Sequence, residues 1–153
     1  MSAEENIKVI ANNRRAGFEY FILDRFEAGL VLQGSEIKSI RAGQISINEA
    51  YIEIDENDEA WLIESHIAPY IEANRFNHDP KRPRRLLLHK KEIYKMYSSV
   101  KQKGMTIIPL KVYLKNRTAK IEIALAKGKK LYDKRDAIAK RDEEREEQRS
   151  QKF

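Results

Sequence analysis

Arg75, Lys81, Arg82, Arg84 and Arg85 crowd eleven residues that also hold Pro80 and Pro83. Arginine forks match the geometry of phosphate oxygens, and the prolines restrict the backbone between them. Such a stretch offers affinity for a nucleic-acid backbone without reading its sequence. Asn13-Arg14-Arg15-Ala16-Gly17 forms a second basic cluster ahead of the first predicted strand. Tyr70, Phe76 and Tyr94 are of the kind that stacks on splayed bases, although Tyr94 equally suits the packing of a helix.

Catalytic patterns are poorer. His66, His78 and His89 are the only histidines. His78-Asp79 has the residue types of a metal or general-base pair, the basis of a small metal-dependent nuclease. It lacks a second cluster of ligands, so a surface or RNA-facing histidine is expected instead. No HExxH, GxSxG or Walker spacing occurs; Ala126-Lys127-Gly128-Lys129-Lys130 has the lysines without the glycine spacing. The carboxylates of residues 46–73 are too dispersed for an acid–base dyad. The chain has no cysteine, which excludes disulfides, thiolate zinc sites and iron–sulfur clusters. A binding protein without catalytic residues, metal or cofactor is expected.

The 153 residues are 41% hydrophobic and 35% charged, which suits one folded domain with chain left over for a tail. No apolar run reaches membrane-spanning length, and MSAEEN lacks a signal-peptide layout, so a cytoplasmic location is expected. The net charge of +6 hides a sharp partition. Residues 46–73 carry eight acidic and no basic side chains, whereas residues 74–103 carry ten basic and two acidic. This predicts an acidic side and a basic side, able to orient an approaching polyanion.

The elements that must position these groups are mainly strands. Residues 18–26 and Leu30-Val31-Leu32 read as two strands around Glu27-Ala28-Gly29. Ser35 and Gly43 bracket a short helix with Ile37 and Ile40 on one side. Residues 46–55 and 59–67 predict a hairpin about Glu56-Asn57-Asp58, and residues 68–85 a long loop, either functional or disordered. Leu86-Leu87-Leu88 then leads into a helix with Ile93, Met96, Tyr97 and Val100 at helical spacing, stopped by Gly104. Residues 105–115 and 118–126 alternate Ile108, Leu110, Val112 and Leu114, then Ile121, Ile123 and Leu125, about Asn116-Arg117. Six strands with inserted helices predict a mainly β fold, an OB-like antiparallel barrel over residues 1–126. Residues 127–153 hold 17 charged side chains out of 27. A segment so polar predicts a disordered tail that becomes helical on a partner.

Several long strings together resemble one family. NRRAGFEYFI, GSEIKSIRAGQ, HDPKRPRRLLLHKKEI, MTIIPLKVYLKN and AKGKKLYDKRD are similar, in order and spacing, to the small protein B family of bacterial trans-translation. The resemblance covers essentially the whole chain. It implies an OB-like fold and no catalysis. The implied activity is binding of the tRNA-like domain of transfer-messenger RNA and its delivery to stalled ribosomes. The implied partners are that RNA and the ribosome, at its decoding centre and message channel. Elongation factor Tu and alanyl-tRNA synthetase would be engaged through the RNA, by a monomer. By motif position, Asn13, Arg14, Arg15, Glu36, Lys38 and Arg41 would contact RNA, with Lys81, Arg82, Arg84 and Arg85 near it. Gly128, Lys129, Lys130, Tyr132, Asp133, Lys134 and Arg135 match the tail motif that engages the ribosome.

Glu36 is the odd member, because a carboxylate repels phosphate. The physical reading of the implied contact is that it accepts hydrogen bonds from exposed base edges, whereas the residues alone predict a helix N1 carboxylate favoured by the dipole. Tyr132 departs from the histidine frequent at that family position, and Glu143, Glu144, Glu146 and Glu147 make the end of the tail acidic. The less specific alternative is a general single-strand RNA-binding OB module.

Overall fold

The computed structural model describes residues 6–70 and 77–129. In chain order these form β1 (Ile7–Asn12), α1 (Ala16–Glu19), β2 (Tyr20–Leu30), α2 (Gly34–Arg41), β3 (Ile45–Ser46) and β4 (Tyr51–Ile54). They continue with β5 (Ala60–Ile63), β6 (His66–Ile67), β7 (Arg84–Leu87), α3 (Lys90–Lys103), β8 (Thr106–Lys115) and β9 (Thr118–Gly128). Seven strands pair in the order β1-β8-β9-β2-β7-β5-β4, and β3 pairs separately with β6. Every ladder is antiparallel. The fold is therefore mainly antiparallel β with few helices, as the sequence predicts. Among the described residues no ladder joins the two end strands, β1 and β4, so strand pairing does not close a barrel.

The β8–β9 hairpin turns where expected, with Asn116 and Arg117 both at positive φ, the geometry that matches strand twist. Helix α3 buries Ile93 and Met96, and Gly104 ends it in the left-handed region at φ +64°. The β4–β5 hairpin has the predicted turn, where the Asp55 carboxylate accepts the Asn57 and Glu59 N–H groups at 2.9 Å. Ile40, Leu62, Ile67, Met96, Val112, Ile121, Ile123 and Leu125 meet in one buried core.

Four expectations are corrected. Residues 20–30 are one continuous strand rather than two around a turn. Gly29 lies buried inside it, and a Cβ there would stand 3.4 Å from Leu87, so this glycine serves close strand approach. Leu86 and Leu87 belong to strand β7, paired with β2 and β5, and the helix begins only at Lys90. The alternation along β8 is interrupted by a bulge between Pro109 and Lys111. The bulge reverses which side chains face inward, so Val112 and Leu114 join the main core while Ile108 and Leu110 join a second cluster with Ala16 and Ala126. Finally, β9 runs through Gly128, two residues beyond the strand end predicted at 126.

Candidate RNA interface

Helix α2 starts with a capping box. The Gln33 N–H donates to Glu36 Oε1 at 2.7 Å, which makes Gln33 the cap rather than Ser35. Arg82 Nη2 donates to the same oxygen at 2.5 Å, and Arg82 Nε reaches Oε2 at 3.3 Å. Arg84 Nε donates to Oε2 at 2.7 Å. Glu36 and Arg84 are both 0% exposed. Arg84 spends its other N–H groups on Ser65 Oγ and the carbonyls of Ser65, Pro80 and Asp79, at 3.0–3.3 Å. Burial pushes the Glu36 carboxyl up, but Arg82, the Gln33 N–H and Arg84 outweigh it and hold the group below the usual carboxylate range. Burial likewise lowers Arg84, opposed by Glu36.

This geometry revises two expectations. Glu36 is enclosed with both oxygens occupied from within, so it does not present an acceptor to a base edge. Arg84, at the start of β7 and so inside the stretch expected to be loop, is enclosed too, and acts on the 78–83 loop from beneath. The residue left at the surface is Arg82, whose side chain is 30% exposed. A carboxylate that repels phosphate thus holds in place an arginine that attracts it.

His78 is also corrected. It is 6% exposed rather than surface or RNA-facing. Its Nε2–H donates to the Ile67 carbonyl at 2.8 Å, and Nδ1 pairs with the Ser35 hydroxyl at 2.8 Å. Both ring nitrogens are committed to joining the loop to α2 and β6. No cluster of three metal-ligating side chains occurs among the described residues.

The first basic cluster has its own organiser. Asn13 donates its N–H to Leu110 O at 2.8 Å and its Nδ2–H to Pro109 O at 2.9 Å, seating the turn on the β8 bulge. Its Oδ1 accepts the Arg15 N–H at 3.2 Å. Asn13 therefore shapes the turn, while Arg14 and Arg15 project from it exposed.

Lys38 and Arg41 are exposed on α2, Lys38 lying 5.7 Å from the Tyr70 ring centroid and Arg41 reaching Arg117 O at 3.4 Å. The remaining cations meet carboxylates. Arg15 pairs with Glu49 at 2.5 Å, Lys81 with Glu64 at 3.7 Å and Arg85 with Glu59 at 3.7 Å. All three carboxylates belong to the acidic block, so this part of it lies among the basic residues rather than on an opposite side. Tyr94 is 74% exposed, which removes the core-packing reading.

The chain matches the family described as SmpB protein over residues 10–153. It belongs to the SmpB family. An SsrA-binding protein of Desulforudis audaxviator is 55% identical over 144 residues, 94% of each chain. One from Carboxydothermus hydrogenoformans is 53% identical over 91% of this chain and 93% of its own. A solved structure described as "tmRNA-SmpB: a journey to the center of the bacterial ribosome" aligns at TM-score 0.65 and 43% identity. It covers 78% of this chain and 83% of that one.

Of the tail motif that SmpB membership brings into view, only the start is described. Gly128 pairs with Tyr20 at the end of β9. Lys129 Nζ donates to Gly17 O at 3.2 Å and lies 4.9 Å from the Phe21 ring centroid. Lys130, Tyr132, Asp133, Lys134 and Arg135 lie outside the described residues, as do Arg75 and Phe76. The supporting residues Ser35, Ser65 and Asn77 were not legible as site residues. Asn77 exchanges two hydrogen bonds with the Tyr70 backbone, at 2.7 and 2.8 Å. Their signal is distributed over contacts distant in sequence.

Proposed function

We propose that this chain binds transfer-messenger RNA and acts with it in trans-translation on the ribosome. Membership of the SmpB family carries the reading. It is supported by relatives named SsrA-binding protein and by the 43% identity to a chain of the tmRNA-SmpB structure. The RNA surface is formed by Arg14, Arg15, Lys38, Arg41, Lys81, Arg82 and Arg85, with Asn13 and Arg84 fixing the turn and loop and Glu36 holding the Arg82 side chain. The open antiparallel sheet is read as an OB-like barrel, and residues 127–153 as the part that engages the ribosome. The protein works as a monomer in the cytoplasm, without catalysis, and reaches elongation factor Tu and alanyl-tRNA synthetase through the RNA.

The test is competition. The tRNA-like domain of transfer-messenger RNA should displace an unstructured oligonucleotide of equal length even when the folded RNA is the scarcer of the two, at physiological salt. Equal affinity for the two would identify a general single-strand binder.

A further inference from the structure

We infer that Glu49, Glu59 and Glu64 are specificity-determining residues, which occupy RNA-binding cations until a correctly shaped RNA replaces them. The inference rests on the RNA-binding reading above. Arg15, Lys81 and Arg85 stand in two separate segments, yet each meets a carboxylate from the one acidic stretch. All three pairs are solvent-accessible, with side-chain exposures from 32% to 71%, so an RNA phosphate can reach them.

Glu64 supplies independent support. Its φ is +62°, a left-handed conformation that costs a residue with a Cβ and ordinarily favours glycine or asparagine. The turn between β5 and β6 would form more easily without a glutamate. What the glutamate adds is a carboxylate 3.7 Å from Lys81.

The selectivity follows from counting exchanges. A phosphate that takes Arg15 must release Glu49, so one contact gains only the difference between two similar anions. It also leaves the freed carboxylate near the incoming phosphate, where like charges repel. A flexible single strand brings phosphates without fixing what stands beside them, so this repulsion remains. A folded RNA of the right shape holds a base or 2′-hydroxyl donor against the freed carboxylate, which then accepts a hydrogen bond and offsets its repulsion. The carboxylates therefore penalise the wrong polyanion more than the right one.

The test uses the full chain carrying Glu49→Gln, Glu59→Gln and Glu64→Gln together. Its probes are the folded tRNA-like domain and an oligouridine of about 20 residues, titrated at low and near-physiological salt, about 50 and 150 mM KCl. An exposed pair holds its cation by about two- to fivefold. Oligouridine affinity at the lower salt should thus rise roughly tenfold, and folded-RNA affinity at most about threefold. The salt slope should stay the same, because the number of phosphates bound does not change. Unchanged affinities, losses for both RNAs, or equal rises for both overturn the inference and leave the RNA-binding reading standing. A wild-type chain with no preference for the folded RNA overturns both. Thermal unfolding checks that the triple variant is folded. Glu49→Gln and Glu64→Gln alone, each expected to raise oligouridine affinity about twofold, keep the inference falsifiable if it is not.

Discussion

Arg84 donates to Glu36 across 2.7 Å in a place where neither side chain meets solvent, although 48 residues separate them in the chain. The contact ties α2 to the strand that follows the arginine-rich loop. Removing one partner leaves the other charge buried and uncompensated. Glu36→Gln should therefore lower unfolding free energy by about 3 kcal/mol, a loss read from the midpoint of urea denaturation. RNA affinity should fall as well, with the salt slope retained, because no cation is removed. Tighter RNA binding by Glu36→Gln would show that simple repulsion governs the residue.

The same carboxyl predicts an acid dependence. Its folded value lies below the ordinary 4.5, so its contribution to stability is complete above that pH and is lost as pH falls through the lowered value. The stability difference between wild type and Glu36→Gln should be constant from neutrality to about pH 5, then shrink toward zero on acidification. Urea denaturation of both chains from neutral to about pH 3 checks this. Groups shared by the two chains, such as Asp55 and Glu27, cancel in the difference.

His78→Ala should destabilise by about 2 kcal/mol, because it leaves the Ile67 carbonyl and the Ser35 hydroxyl unpartnered in a buried place. Chelator and added divalent metal should change neither the stability of the wild type nor the integrity of an incubated RNA. Metal-dependent RNA cleavage that disappears in His78→Ala would restore the nuclease reading.

Arg14→Ala with Arg15→Ala should weaken binding of the folded RNA and reduce the salt slope by about one for every phosphate that is no longer neutralised. Asn13→Ala should weaken binding through the turn that it holds while leaving most of the slope in place. A slope unchanged in the double variant would remove this turn from the RNA surface.

Deleting residues 131–153 should leave thermal unfolding within about 2 °C of the full chain, because a segment so densely charged has little apolar surface to bury against a core. Tagging of stalled peptides should be abolished in a reconstituted translation system, while affinity for the folded RNA falls only modestly. Full tagging by the truncated protein would contradict the role given to the tail.

The elements with a complete local code were legible. Helix α3 carries helical spacing and a glycine stop, although not its start, and the β8–β9 hairpin carries alternation on both sides of a two-residue turn. The misread places are those where a residue's reason lies across the fold. Gly29 looks like a turn until Leu87 is seen against it. Leu110 looks inward-facing with Val112 until the bulge separates them. Glu36 has a contact role only through the resemblance, and its arginines stand 46 and 48 positions away, where no local pattern can announce them. The acidic block was visible as composition, but its pairing with the basic residues depends on how β3 to β6 fold back, which composition does not encode.

The division of the interior into two clusters has a mechanical consequence. Ala16, Ile108 and Ala126 seat the turn bearing Arg14 and Arg15 apart from the main core, into which Ile40, Leu86 and Met96 anchor α2, β7 and α3. The two basic regions are thus bolted to different parts of the frame, and strain delivered to one need not travel into the other. Each can move without the other, as two fingers close on an object from independent knuckles. Amide hydrogen exchange would register this as two opening free energies, one for the turn above Ala16 and another for the loop above Glu36.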